Sequence, residues 1–321
     1  MSCIPSSHLI VIPRLRVQNA NAISSPLTHG FPAMTAFLGL MWALERKLQK
    51  AGIDVPMNAI GVVCHDHQEQ VTEGGFVKTF CLTRNPVSKA GKTAAIVEEG
   101  RIHLEVSLVI GINTESWSDE YLPHIAETLT SMRIAGGTIH PQEKPWLRRY
   151  QSWVVDLTGT EADRAEKFRA MSRELLPGFS LVARDDLLDQ RYAEMAAKNP
   201  GVDVSRLDAW LSLSRFNWRY QQNQEGGKGE WQHDRKGWIV PIPVGYGALS
   251  DVYPPGTATN ARDNTTSFRF VESVYSVGEW VSLHRLQSAE QLLWYADSQP
   301  DNGLYRCRND YSSHAVNQNV I

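Results

Sequence analysis

The chain has 321 residues, of which 42% are hydrophobic and 21% charged, a balance that supports a packed core and argues against a disordered chain. A formal net charge of -3 and a pI near 6.4 argue against a free-standing protein that holds nucleic acid through a broad positive field, so any such contact has to come from local patches or be shared with partners. There is no run of roughly 18 apolar residues and no charged start followed by a signal-like apolar stretch, so the chain is expected to be cytoplasmic and without membrane contact.

In chain order, His8-Leu9-Ile10-Val11-Ile12 is an apolar run that reads as a buried strand stopped by Pro13. A polar segment from Arg14 to Gly30 follows. Phe37, Met41, Leu44 and Leu48 then recur at helical spacing, with Glu45, Arg46, Lys47 and Lys50 on or near the other face, giving an amphipathic helix closed by Gly52. Ala59 to Cys64 supplies a second strand. The stretch from Val71 to Val97, with Gly74-Gly75 and Ala90-Gly91, has the composition of a protruding hairpin. Arg101 to Ile112 alternates as a third strand: Ile102, Leu104, Val106, Leu108 and Ile110 on one face, Arg101, His103, Glu105 and Ser107 on the other. Asp119 to Arg133 reads as a second helix ended by Gly136-Gly137, and Trp153-Val154-Val155 as a fourth strand. The order strand, helix, strand, strand, helix, strand is a split βαβ pattern, so the fold class is α+β with a ferredoxin-like domain. Its sheet is expected to carry two helices on one face and to leave the other open, as in folds that bind single-stranded RNA.

A charged helical stretch from Glu161 to Leu176, followed by Pro177-Gly178, marks the expected boundary. It divides residues 1–176, a ferredoxin-like domain with an inserted thumb at about 71–97, from residues 177–321, a C-terminal α+β region. In the latter, Phe179 to Val182 reads as a strand, Asp185 to Lys198 as a helix, Gln221 to Gly229 as a polar break, Trp238 to Pro243 as a strand, and Gly278 to Tyr295 as largely helical. The ten tryptophans include Trp146 beside Arg148 and Arg149, and Trp218 between arginines, surroundings that suit interfaces and RNA as well as core. The four cysteines form no CxxC pair and read as free thiols.

Several segments carry candidate chemistry. Between Pro13 and Pro26, Arg14 and Arg16 offer charge for phosphate oxygens, while Gln18, Asn19, Asn21 and Ser24 offer groups that read base edges; a capped loop whose polar side chains serve their own backbone is the plain alternative. Arg84, Lys89 and Lys92 at the tip of the excursion could lie over an RNA backbone or simply be solvated. Gly91-Lys92-Thr93 is not a phosphate-binding loop, because Pro86 stands where the motif needs glycine. Gly136 and Gly137 permit close backbone approach, or merely end a helix. His65-Asp66-His67 lacks the third and fourth ligands that a structural metal site needs, so no metal and no cofactor is expected. His29 is a candidate general base toward an RNA 2′-hydroxyl, or an idle loop histidine. In the second half, Arg262 and Arg269 sit among aromatics and amides, as RNA contacts or as part of a subunit interface.

Six blocks together resemble one family: Ile12-Pro13-Arg14-Leu15-Arg16-Val17-Gln18-Asn19-Ala20-Asn21-Ala22-Ile23-Ser24-Ser25-Pro26-Leu27-Thr28, Leu82-Thr83-Arg84-Asn85-Pro86, Thr93 to Arg101, Leu175-Leu176-Pro177-Gly178-Phe179, Trp238 to Tyr246, and Gly303-Leu304-Tyr305-Arg306. They look like the Csy-two family, the Cas-five-type subunit of the type I-F CRISPR surveillance complex. The resemblance implies a non-catalytic RNA-binding subunit that holds the 5′ handle of the crRNA. It also implies a heterodimer with the large, Cas-eight-type subunit, contact with the first Cas-seven-type backbone subunit, and a position near the PAM of target double-stranded DNA. The third strand lacks the exposed aromatics of RNA-recognition domains, which moves the expected contacts onto the Arg14 to Ser24 segment, the thumb and the Gly136-Gly137 loop. Two rival readings are a guide-processing endoribonuclease using His29 and a protein-only scaffold.

Overall fold

Strand β1 spans His8–Asn21 and runs through Pro13 instead of stopping there. Two bulges make this possible. Against its antiparallel neighbour β7 (Arg101–Ile112), Ile12 pairs with Leu108 and Leu15 with Val106; further on, Val17 pairs with Leu104 and Ala20 with Ile102, so β1 holds one extra residue at each step. Pro13 falls in the first bulge, where no ladder N–H is required. Arg14 and Asn19 take positive φ angles of 50° and 57° in the two bulges, a backbone strain on the order of 1–3 kcal/mol each for a non-glycine residue. The computed structural model describes residues 5–84, 87–93, 96–115, 117–221, 229–257, 259 and 263–312.

Helix α1 (Met34–Lys50), β2 (Met57–Glu69) and β7 follow as expected, and β2 pairs antiparallel with the far edge of β7. The excursion between them consists of two ribbons, β3 (Val71–Gly74) with β4 (Val77–Phe80) and β5 (Leu82–Arg84) with β6 (Ile96–Glu98). After α2 (Tyr121–Thr130) the fourth-strand position on β1 is filled by two short strands. β9 (Gly137–His140), reached through a hairpin from β8 (Arg133–Ile134), pairs with Arg16–Gln18, and β10 (Trp153–Asp156) pairs with His8–Val11. Element order and antiparallel pairing are those of a split βαβ unit, and the chain is α+β. Phe37, Leu38, Met41, Leu44 and Leu48 of α1 lie buried with Ile125 and Leu129 of α2 against Ile10, Ile60, Leu108 and Ile110 of the sheet.

The opposite face is not open along its whole length, contrary to expectation. Leu9, Val11, Val63 and Val109 pack there against Phe168 and Met171 of α3 (Glu161–Glu174), its C-cap residue Leu175, and Leu283, Leu286 and Leu292. Strands apolar on both sides need a second cover. Helix α3 begins at a capping box in which Thr160 and Asp163 satisfy each other's backbone N–H groups, which fixes where the covering helix starts. Only the far end of this face, where the strands turn polar, is left uncovered.

Beyond Pro177 the chain adds β11 (Phe179–Ala183), α4 (Asp185–Lys198), α5 (Arg206–Leu213), a hairpin of β12 (Trp218–Gln221) and β13 (Glu230–His233), then β14 (Trp238–Ala248), β15 (Val271–Ser282), α6 (Ala289–Leu292), β16 (Trp294–Gln299) and β17 (Leu304–Asn309). The expected long helix from Gly278 to Tyr295 is instead the end of β15, a 3-10 turn at Leu283–Arg285, and the short α6. β15 is paired along both edges, by β14 and β11, and Val274, Val277 and Val281 suit that pleated setting. The pairings β2–β11–β15–β14–β17–β16–β2 close a ring of six strands. Closure occurs on one edge of β2, where Trp294 pairs with Ile60 while Val63 and Cys64 pair with Ser180 and Phe179. Among the described residues no helix is long and apolar enough to cross a membrane.

Candidate nucleic-acid interface

Where the covered end of the sheet gives way to its polar end, a groove of about 510 Å³ opens across β1, β7 and β2. Its lining includes Arg16, Gln18, His103, Glu105, Asp66 and His140. The bulge at Asn19 turns the Asn19 N–H away from the ladder and onto His103 Nδ1 at 3.1 Å. An N–H donated to Nδ1 fixes that ring as the neutral tautomer with its proton on Nε2, so His103 keeps a donor to offer. His140 Nε2 donates to Gln18 Oε1 at 2.8 Å, which leaves the Gln18 amide hydrogens available. Arg16 reaches Glu143 at 2.8 Å, but both side chains are more than half exposed and the pair can open readily. The groove thus presents a mobile guanidinium, an amide and imidazoles over a surface that also carries carboxylates, a mixture suited to base edges as well as phosphates.

The first bulge is held from beneath. Arg14 N–H donates to Ser107 Oγ at 2.9 Å, and Ser107 Oγ lies 2.6 Å from His65 Nε2. His65 Nδ1 is 2.7 Å from the Pro177 carbonyl, which can only accept, so Nδ1 carries the proton and Nε2 accepts from the serine. Every group in this chain from β1 to the β11 approach is satisfied by the neutral imidazole, and burial lowers the His65 pKa. Ser107→Ala removes only the hydroxyl, strands an imidazole nitrogen and a strained N–H, and is expected to destabilise the fold by about 1–3 kcal/mol in urea titrations. A folded-state pKa below the unfolded value of about 6.5 means that the unfolded chain takes up the proton first as pH falls. The His65 contribution is therefore full above about pH 6.5 and is lost as pH falls through the folded value. His65→Gln is expected to flatten that limb of the stability profile.

The other sequence-predicted residues distribute unevenly. Arg14 pairs with Glu105 at 2.6 Å and is largely shielded, so it is less available than Arg16. Asn21 bonds the N–H and carbonyl of Ile23, and Ser24 Oγ accepts from Ala33 N–H at the start of α1; both serve local backbone. Asn19 is exposed. Lys89 and Lys92 are exposed at the thumb tip, whereas the Arg84 side chain and the whole of Arg262 lie outside the described residues. Gly136, at φ 78°, turns the hairpin from β8 to β9. A Cβ on Gly137 would come within 2.8 Å of Ala20 backbone atoms, so the close approach it allows is to β1. Arg269 is half-buried and packs beside Gly303, far along the sequence from the groove residues.

A second depression, of about 440 Å³, lies at the mouth of the strand ring. Phe31, Phe179, Trp238 and Trp280 line it together with Asp66, His67 and Glu69. Past Cys64, β2 has no partner on its ring-side edge among the described residues. The groove and this cleft meet around that free end, and Asp66 and His67 line both. His29 sits on the cleft rim and packs on Phe80 of the thumb at 4.8 Å. Sequence reasoning did not find His103 and His140, whose only signal was alternation on a polar strand face, nor the role of Phe179 and Trp280, which are remote in sequence and meet only through ring closure. Trp238 was read only as the start of a strand and of a family block.

Residues 10–307 match the family model described as CRISPR-associated protein (Cas_Csy2). The chain is also 42% identical over 329 aligned residues to CRISPR-associated protein Csy2 of Pseudomonas aeruginosa (strain UCBPP-PA14), an alignment covering 98% of this chain and all of that protein.

Proposed function

Because the chain belongs to the Csy2 family of CRISPR-associated proteins, we propose that it is a non-catalytic, cytoplasmic subunit of a type I-F surveillance complex that holds the 5′ handle of the crRNA. The observation that carries this reading is the polar groove between the two bulges of β1, where Arg16, Gln18, His103 and His140 converge on an uncovered sheet face. Such a surface holds a single strand by a few phosphate contacts and by hydrogen bonds to base edges. The thumb, rooted beside the groove through the His29–Phe80 contact and carrying Lys89 and Lys92 at its tip, closes over the strand. The net charge of -3 fits a subunit that captures RNA inside an assembly with a large subunit and a first backbone subunit, near the PAM of target DNA. Co-expression with neighbouring gene products, followed by purification and sequencing of bound RNA, is expected to yield short RNAs sharing one 5′ end. RNA-free complexes, or RNAs with heterogeneous 5′ ends, would overturn the reading.

One observation favours the endoribonuclease rival: His29 and His67 line the same cleft. Incubating the purified chain with repeat RNA in chelator separates the two, since the non-catalytic reading expects intact RNA. Metal-independent cleavage that disappears in His29→Ala would establish the enzyme instead.

A further inference from the structure

The aromatic cleft has no duty in the fold that accounts for its exposure. Trp238 is 53% and Phe179 43% exposed, although both are large apolar rings. The Phe179 and Trp238 centroids stand 5.8 Å apart at 67°, and those of Trp238 and Trp280 6.3 Å apart at 50°. The pairs meet edge-to-face or tilted rather than stacked, and all three rings line the cleft. We propose that the cleft receives one unstacked nucleobase of the bound RNA, a base carrying an exocyclic amino group; the inference rests on the RNA-binding reading of the adjacent groove.

Three features select this occupant. The volume of 440 Å³ lies in the range of about 300–1,000 Å³ typical of small-ligand sites. Asp66 and Glu69 on the rim repel a phosphate but accept from the amino group of cytosine, adenine or guanine. Among the described residues neither the Glu69 carboxylate nor the His67 ring has a hydrogen-bond partner, and Asp66 commits Oδ1 only to the His67 N–H at 2.9 Å. Continuity is the third. Asp66 and His67 line both depressions, so a strand lying across Arg16 and His103 has the cleft directly beside it. Cys64 at the floor is held as a neutral thiol, its pKa pushed up to about 12 by burial, and adds no competing charge.

The test uses the 5′ segment of the RNA that co-purifies, resynthesised with an abasic nucleotide at each position in turn. It is bound to the full chain, alone and with the co-expressed large subunit. One abasic position is expected to weaken wild-type binding by about 5- to 100-fold, the range for losing one stacked base. Trp238→Ala is expected to bind intact RNA more weakly by a similar factor and to be insensitive to that same abasic position. Circular dichroism and the thermal midpoint show that the variant is folded, as its largely exposed side chain leads one to expect. Unchanged RNA binding by folded Trp238→Ala, or independent effects of the two changes at every position, overturns the base site. Weakened subunit association with unchanged RNA affinity assigns the cleft to a partner's side chain and likewise overturns it. Loss of RNA binding by the wild-type chain in both forms would instead sink the groove reading, and this inference with it.

Discussion

Trp294→Ala is expected to lower the stability of the chain by about 3–5 kcal/mol, the cost of emptying a large aromatic site in a close-packed core. Trp294 is completely buried, and its indole N–H donates to the Leu181 carbonyl of β11 at 2.8 Å. It also supplies the residue of β16 that pairs with Ile60 of β2. One residue therefore joins three strands at the point where the ring closes, by its backbone to β2 and by its indole to β11. Its loss leaves a cavity and an unmet carbonyl at a seam that connects residues more than a hundred positions apart. Trp294→Phe restores most of the volume but not the donor, so it should fall between wild type and alanine. Urea unfolding followed by circular dichroism and by tryptophan fluorescence gives the measurement. Coincident transitions in both probes, shifted together, are expected if the ring unites the two halves of the chain in one cooperative unit. A shift confined to one transition would show that the seam stabilises only the second half.

Arg16→Ala is expected to reduce affinity for handle RNA by about tenfold and to lower the slope of log affinity against log salt by about 0.7, the value for one phosphate contact on a single strand. The weakening should be similar across RNA sequences, since a phosphate contact reads no base. Its partner gives the opposite expectation. Glu143→Ala frees Arg16 from its exposed pair and should leave affinity unchanged or slightly higher. Arg14 is a less direct probe, because Arg14→Ala also strands Glu105 within the fold; the pair Arg14→Ala with Glu105→Gln is the appropriate comparison. Filter binding or anisotropy over a salt series measures all four. Equal affinity and slope for Arg16→Ala and wild type would remove Arg16 from the interface.

Helices and local strands were legible because their signals are local. The apolar spacing of Phe37 to Leu48 and the alternation through Ile102 to Ile110 gave α1 and β7 directly, and Asp185–Lys198 forms the helix read for it. The continuation of β1 past Pro13 was not legible, because proline normally ends a ladder and only pairing with β7 shows that it sits in a bulge. The end of β15 from Gly278 onward reads as helix because its apolar residues satisfy more than one periodicity, and the two strand neighbours of β15 come from distant segments. The same remoteness hid the aromatic cleft: Phe31, Phe179, Trp238 and Trp280 come together only through tertiary pairing. Arg16 and Gln18, named from residue type alone, line the groove. The local duties of Asn21 and Ser24 show why a polar loop composition does not by itself separate binding from backbone capping.

The two irregularities in β1 work as a matched pair of frame shifts. Above the first, odd-numbered Leu9 and Val11 occupy the face away from α1, and even-numbered Ile10 and Ile12 meet the helices. Between the two, the parity is inverted, so even-numbered Arg16 and Gln18 take the outer face while Val17 turns inward; after the second, Ala20 and Ala22 restore the original parity. Deleting Pro13 alone would close the first irregularity into a regular ladder, with Ile12 still opposite Leu108 and Leu15 still opposite Val106, so Arg16, Val17 and Gln18 would keep their faces. Removing Leu15 while both irregularities persist would instead set Arg16 in the position that faces the helices and Val17 on the outer face, because a one-residue slip exchanges the two faces. The number of residues between the two irregularities is therefore under tighter constraint than the irregularities themselves, either of which can lose its extra residue without exchanging the faces.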